Sequence, residues 1–152
     1  MRTTIIAEAG VNHNGSIEIA KKMLGHVPKP RYAHYGSFFN QDGVEIDKGV
    51  ALFFPAPNSF TGEDVLEFQG HGGILVMRSL LESAMALGSI AAEPGEFSKR
   101  AFLNGKMDLL QAEAVADLID ASSEQSARSA LRSLSGEFSD QVNALTKALI
   151  EL

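Results

Sequence analysis

Residues 54–73 read FPAPNSFTGEDVLEFQGHGG, and the two halves of this stretch ask opposite things of the backbone. PAPNSFTGED (55–64) is crowded with proline, glycine, asparagine and aspartate, the residues that punctuate loops. VLEFQ (65–69) is a β-strand, and Gly70, Gly72 and Gly73 mark its exit. Strand alternation puts Val65, Glu67 and Gln69 on one face and Leu66 and Phe68 on the other.

Working outward toward the N-terminus, KGVALFF (48–54), the turn NQDG (40–43) and YAHYGSFF (32–39) predict a hairpin or meander. HVPKPR (26–31) breaks regular structure, because Pro28 and Pro30 remove donors and restrict their neighbours. Before it, TTIIAEA (3–9) reads as a strand, VNHNG (11–15) as a loop, and Ser16 as the cap of a short helix that Gly25 stops.

Outward in the other direction, a helix from about Ile74 to Leu87 closes at Gly88, and SIAAE (89–93) is strand-like. The remainder is helical. EFSKRAFLN ends at Asn104-Gly105, and Asp108 caps the next helix with Gln111 as its capping-box partner. Ser122 repeats the device with Gln125. Beyond it Ala127, Leu131, Leu134, Phe138, Val142, Leu145, Leu149 and Leu152 recur every three or four residues. That seam predicts one helix of about 31 residues, roughly 46 Å long. Its apolar face needs a partner, since the stability of such a helix lies in tertiary packing. The fold class is α+β: a small mixed or antiparallel sheet with helices, followed by long C-terminal helices.

At 152 residues, 45% of them apolar, the chain can build a core without staples. It has no cysteine, which excludes disulfides and thiolate chemistry from these residues. No apolar run is long enough to span a membrane, and Glu8 breaks any signal-peptide core; the expected location is the cytoplasm. Net charge is −6, and basic residues form only short clusters such as Lys29, Arg31 and Lys99, Arg100. Taken alone, the chain is a poor candidate for holding RNA tightly.

PKPRYAHYGSF (28–38), the stretch 54–73 and EPGEFSKRAFLNGKMDLLQAEAVADLIDASSEQSARSAL (93–131) together resemble the MnmE (TrmE) family of tRNA modification GTPases, densely and in register. The resemblance implies a folate-binding, dimer-forming domain over 25–107 and the first helices of a helical domain over 108–152. It implies 5-formyltetrahydrofolate as cofactor, a homodimer, an MnmG-type flavoprotein partner, and work on C5 of the tRNA wobble uridine. No G-x-x-x-x-G-K-[ST] loop occurs in these residues, so neither GTP binding nor hydrolysis is expected of them. The family's cysteine near the C-terminus does not occur here either.

The opening IIAEAGVNHNGSIEIAKKML (5–24) is similar to the start of the N-acetylneuraminate synthases. Residues 1–24 therefore read as a synthase-like strand–loop–helix opening, and the chain as a mosaic, natural or engineered. The plainer alternative is a divergent MnmE start. Glu8, Asn12 and His13 belong to this loop. A barrel site is built from several strand ends, which leaves them as surface loop residues.

Two residues match the family's folate contacts. By resemblance Glu67 matches the family's pterin-contacting glutamate, and a carboxylate can accept two parallel N–H bonds from a flat heterocycle. Considered without the resemblance, a strand charge is more often merely solvated. Lys106, between two helices, matches the folate-contacting lysine, though a cation near a helix C-terminus has a structural reason of its own. The family's third contact is an arginine on a strand that has no counterpart here, and its loss costs about 1.5–3 kcal/mol, so weak folate binding or none is expected. Asn58, Ser59 and Thr61 are loop polar residues, candidates for a pocket lining but more often turn chemistry. His13, His26, His34 and His71 lack metal-ligand spacing. Three functions compete: a folate-binding and dimerisation module, a structural piece that only self-associates, and, least favoured, a sialic acid synthase.

Overall fold

The computed structural model describes residues 16–151. The strand expected over 3–9 and the loop with Glu8, Asn12 and His13 lie outside the described residues. The chain divides into two compact units, one ending at Pro94 and the other beginning at Gly95.

In the first unit, α1 (Ser16–Leu24) buries Ile19, Ala20, Met23 and Leu24 along one stripe. Gly25 ends it in a left-handed conformation, φ 75°. β1 (His34–Phe39) and β2 (Glu45–Phe54) form the expected hairpin. Its turn is tied by Asn40, whose side-chain oxygen accepts the N–H groups of Asp42 at 3.0 Å and Val44 at 2.9 Å. Phe38 pairs with Asp47 but Phe39 with Glu45, so Ile46 is the extra residue of a bulge. β3 (Val65–Gln69) adds antiparallel to β2, giving the order β1-β2-β3 among the described residues.

α2 (Ile74–Ala86) follows, with Leu80 and Ala84 buried. These two join the α1 stripe, Phe38 and Ala51 in one core, with Leu66 and Phe68 packed against it. Phe38 meets Phe68 edge to face at 5.2 Å. Helices on one sheet face and Leu66 and Phe68 beneath them fix the phase of β3, so Glu67 belongs to the opposite face. SIAAE (89–93), expected to be strand-like, is irregular. Its Ser89 N–H is spent instead on the Ala84 carbonyl, at 3.0 Å, in closing α2.

The second unit holds α3 (Glu96–Leu103), α4 (Leu109–Asp120), α5 (Glu124–Leu134) and α6 (Glu137–Ile150). The capping box at the start of α4 is present as expected, with Asp108 and Gln111 bonded reciprocally at 2.9 and 3.0 Å. The Ser139 side chain close by and the N–H bond from Gln111 hold the Asp108 carboxyl below its ordinary range. The next cap is one residue later than expected: Ser123 pairs with Ser126, not Ser122 with Gln125. Ala114 and Ala130 are buried in α4 and α5, where a side chain this small lets the two helices approach.

The single helix expected over the last 31 residues is instead two. Gly136 sits at φ 97°, a left-handed conformation that stops α5 and starts α6. The apolar seam keeps its spacing across the break, which is why periodicity alone did not reveal it. Leu131, Phe138, Leu145 and Leu149 remain substantially exposed.

Candidate functional site

Glu67 stands at the centre of β3, opposite Leu52 of β2. Val50 and Phe54 flank Leu52 on that face, paired with Gln69 and Val65. The carboxylate therefore rises from a largely apolar sheet face. It is half-buried. The Gln69 amide donates to its Oε2 over a long 3.4 Å. At that distance the bond is weak, and most of the carboxylate's acceptor capacity is left for a flat N–H donor.

The loop ahead of β3 is locked by its own polar groups. The Ala56 N–H donates to Asp64 at 2.8 Å, the Ser59 hydroxyl to the Glu63 carbonyl at 2.5 Å, and the Asn58 N–H to the Pro55 carbonyl at 3.1 Å. Thr61 is buried and accepts the Glu63 N–H at 3.3 Å. Of the two roles open to Asn58, Ser59 and Thr61, these bonds are turn chemistry. The Ala56-Pro57 peptide bond is cis.

Beyond β3 the chain carries a feature that sequence reasoning missed. His71 is tied to Asp47, whose side chain is 10% exposed while the imidazole is 76% exposed. Burial works against ionisation of Asp47. The His71 backbone N–H, its ring and the Lys48 backbone N–H more than offset that and hold the carboxyl below its ordinary range. A Cβ at Gly70 would lie 2.6 Å from Asp47 Oδ2, so a side chain there would displace the carboxylate that holds His71. The other described histidines are also engaged, His26 with the Leu24 carbonyl at 3.0 Å and His34 with the Lys29 N–H at 2.7 Å.

An open groove of about 500 Å³ lies between the hairpin turn and α2, lined by Gln41, Val44, Ile46, Val76, Ser79 and Glu82 among others. Glu67 is not part of its lining.

Lys106 belongs to the second unit, in the link between α3 and α4. Its backbone N–H donates to the Ala101 carbonyl at 2.8 Å, in the last turn of α3, and its side chain is exposed. A cation there faces the negative end of the helix. Among the described residues, no group of three or more His, Cys, Asp or Glu could hold a metal ion, and no helix is long and apolar enough to cross a membrane.

The family model described as GTP-binding protein TrmE N-terminus matches residues 5–106, and the MnmE helical domain matches residues 109–152. The first match begins at residue 5 and so runs through the synthase-like opening. The tRNA modification GTPase MnmE of Ruthia magnifica subsp. Calyptogena magnifica is 72% identical over 134 residues, covering 88% of this chain and 30% of that protein. That of Hydrogenovibrio crunogenus is 65% identical, covering 89% and 30%. That of Pseudomonas syringae pv. tomato is 55% identical over 162 residues, covering 99% of this chain and 36% of the relative. The chain thus spans about a third of the length of the curated relatives it matches. With one model covering the sheet unit and α3, and a second covering α4 to α6, the chain belongs to the MnmE (TrmE) family.

Proposed function

We propose that this chain is the tetrahydrofolate-binding and dimerising part of a cytoplasmic protein that modifies C5 of the tRNA wobble uridine. The folate-binding domain is assigned to 25–107 and the start of the helical domain to 108–152, behind the opening of 1–24. The parent protein works with GTP, an MnmG-type flavoprotein and tRNA.

The observation that carries the reading is the position of Glu67. A half-buried carboxylate on an apolar sheet face, with only a long bond to Gln69, suits the edge of a pterin. The neighbouring Leu52 supports the flat ring by apolar contact, and Glu67 supplies the paired acceptors. Lys106, in the second unit, is proposed by family resemblance as a contact for an anionic or carbonyl group of a folate.

Calorimetry with 5-formyltetrahydrofolate tests this. The expected result is a measurable heat that Glu67→Ala reduces at least tenfold in affinity and Lys106→Ala reduces less. Equal heats for the wild type and Glu67→Ala would remove Glu67 from the site. Sedimentation that shows a monomer at all concentrations would remove dimerisation.

A further inference from the structure

Charge is distributed unevenly along this acidic chain. Residues 19–41 contain Lys21, Lys22, Lys29 and Arg31, together with His26 and His34, and not one of the 19 carboxylates. Among the described residues, none of these four cations takes part in an ion pair. All four are exposed.

Aromatic rings are interleaved with the cations. Tyr32 is 57% exposed, whereas Tyr35, paired with Val50, belongs to the Glu67 face of the sheet. Tyr32 meets the His34 ring edge-on at 4.9 Å, His34 meets His26 at 5.3 Å, and the Lys29 ammonium lies 5.8 Å from the Tyr32 ring centre. The segment is held rigidly. Pro28 is fully buried, the Arg31 N–H donates to the Phe53 carbonyl at 2.8 Å, and its guanidinium donates to the Asn58 carbonyl at 2.7 Å. Those bonds keep Arg31 at φ 57°, a conformation few non-glycine residues adopt.

We propose that this patch is a contact site for a single-stranded RNA segment, with Lys29 and Arg31 meeting phosphates and the Tyr32 ring offering a surface for a base. The proposal rests on the reading that the parent protein acts on tRNA. An acidic peptide would satisfy the cations but has no use for exposed rings, whereas unpaired bases use both. Only a few cations are present, so the contact is weak, salt-sensitive and indifferent to sequence.

Fluorescence anisotropy of the 152-residue chain with a labelled 12-mer oligouridylate and a labelled tRNA transcript, at low and physiological salt, tests it. Lys22→Glu combined with Lys29→Glu leaves the structural bonds of Arg31 untouched and is expected to weaken both RNAs at least tenfold at low salt. Tyr32→Ala is expected to weaken the 12-mer at least threefold without changing the salt slope. Lys99→Glu, on α3, is expected to leave binding within twofold. Equal RNA binding by the wild type and the double variant overturns the proposal, as does preference for an oligoglutamate peptide over RNA. Folate heats measured on the same variants separate the two claims: intact folate binding without RNA binding sinks the patch alone, and RNA binding without any folate heat sinks the folate reading alone.

Discussion

Asp47 and His71, 24 residues apart, are joined twice: the His71 backbone N–H lies 2.7 Å from one carboxylate oxygen and its ring Nδ1 lies 2.8 Å from the other. The pair fastens the exit of β3 back onto β2, just before α2 begins. One carboxylate thereby fixes the end of the strand that carries Glu67.

Removing that carboxylate loses an exposed bond to a backbone donor that water can replace, a net contribution of about 0.5–1.5 kcal/mol. Asp47→Ala is therefore expected to lower unfolding stability by about that amount in urea at pH 7. The pH dependence has a definite sign. The folded-state carboxyl of Asp47 is lowered, so its contribution is complete above the unfolded value of about 3.9 and disappears as pH falls through the folded value. The gap between wild type and Asp47→Ala should narrow only below about pH 4. A gap that stayed constant down to pH 2 would show that the charge is irrelevant.

Gly36 and Gly49 face each other across the hairpin and make opposite predictions. A Cβ at Gly49 would lie 2.2 Å from the Gln69 carbonyl oxygen and 2.7 Å from the Phe38 ring. The first obstacle is backbone, so β2 and β3 must separate. Gly49→Ala is expected to cost about 3 kcal/mol or more, at the upper end of overpacking. A Cβ at Gly36 meets nothing within 4 Å. Gly36→Ala should be neutral or slightly stabilising, because alanine reduces the freedom of the unfolded chain. Thermal melts of the two variants decide this, and similar losses in both would refute the packing argument.

How much of this was legible in the residues follows from the range of the forces involved. The hairpin, β3, α2 and the Asp108 cap were readable because turn chemistry and alternation act over a few positions. The Asp47–His71 pair was not, since nothing local marks a contact made across a sheet. The break at Gly136 was overlooked because the apolar seam keeps its period through it, whereas a lone glycine in a helical pattern is tolerated often enough to be discounted. Glu67 was placed on its face by alternation, but its meaning as a ligand contact came from the family resemblance alone.

Gln111 has two jobs that substitution can separate. Its side-chain oxygen accepts the Asp108 N–H at 3.0 Å, and its Nε2 donates to the Leu134 carbonyl at 2.9 Å, where α5 ends. Gln111→Glu keeps the first bond and loses the second, placing a carboxylate against a carbonyl oxygen. It is expected to cost about 1 kcal/mol at pH 7 and less at pH 3, where the protonated acid can donate again. Hydrogen exchange at Ser135 and Gly136 should quicken in this variant. Unchanged exchange there would mean the tie contributes nothing.

Gly136→Ala probes the junction itself. The introduced Cβ would meet only Gln111 Nε2, at 3.8 Å, an ordinary contact, so space is not the obstacle. The φ of 97° is. An L-residue held in the left-handed region loses about 1–2 kcal/mol. Two responses are open to the chain: it can bear that strain, or it can straighten 124–150 into the continuous helix that the seam spacing suggests. Straightening would pull Leu134 away from Gln111, losing a tie that the bent form keeps. The bent form is therefore expected to persist with stability lowered by about 1–2 kcal/mol and helical circular dichroism unchanged. A gain in helical signal together with equal or greater stability would mean that the bend depends on glycine alone and that the Gln111 tie is too weak to hold it.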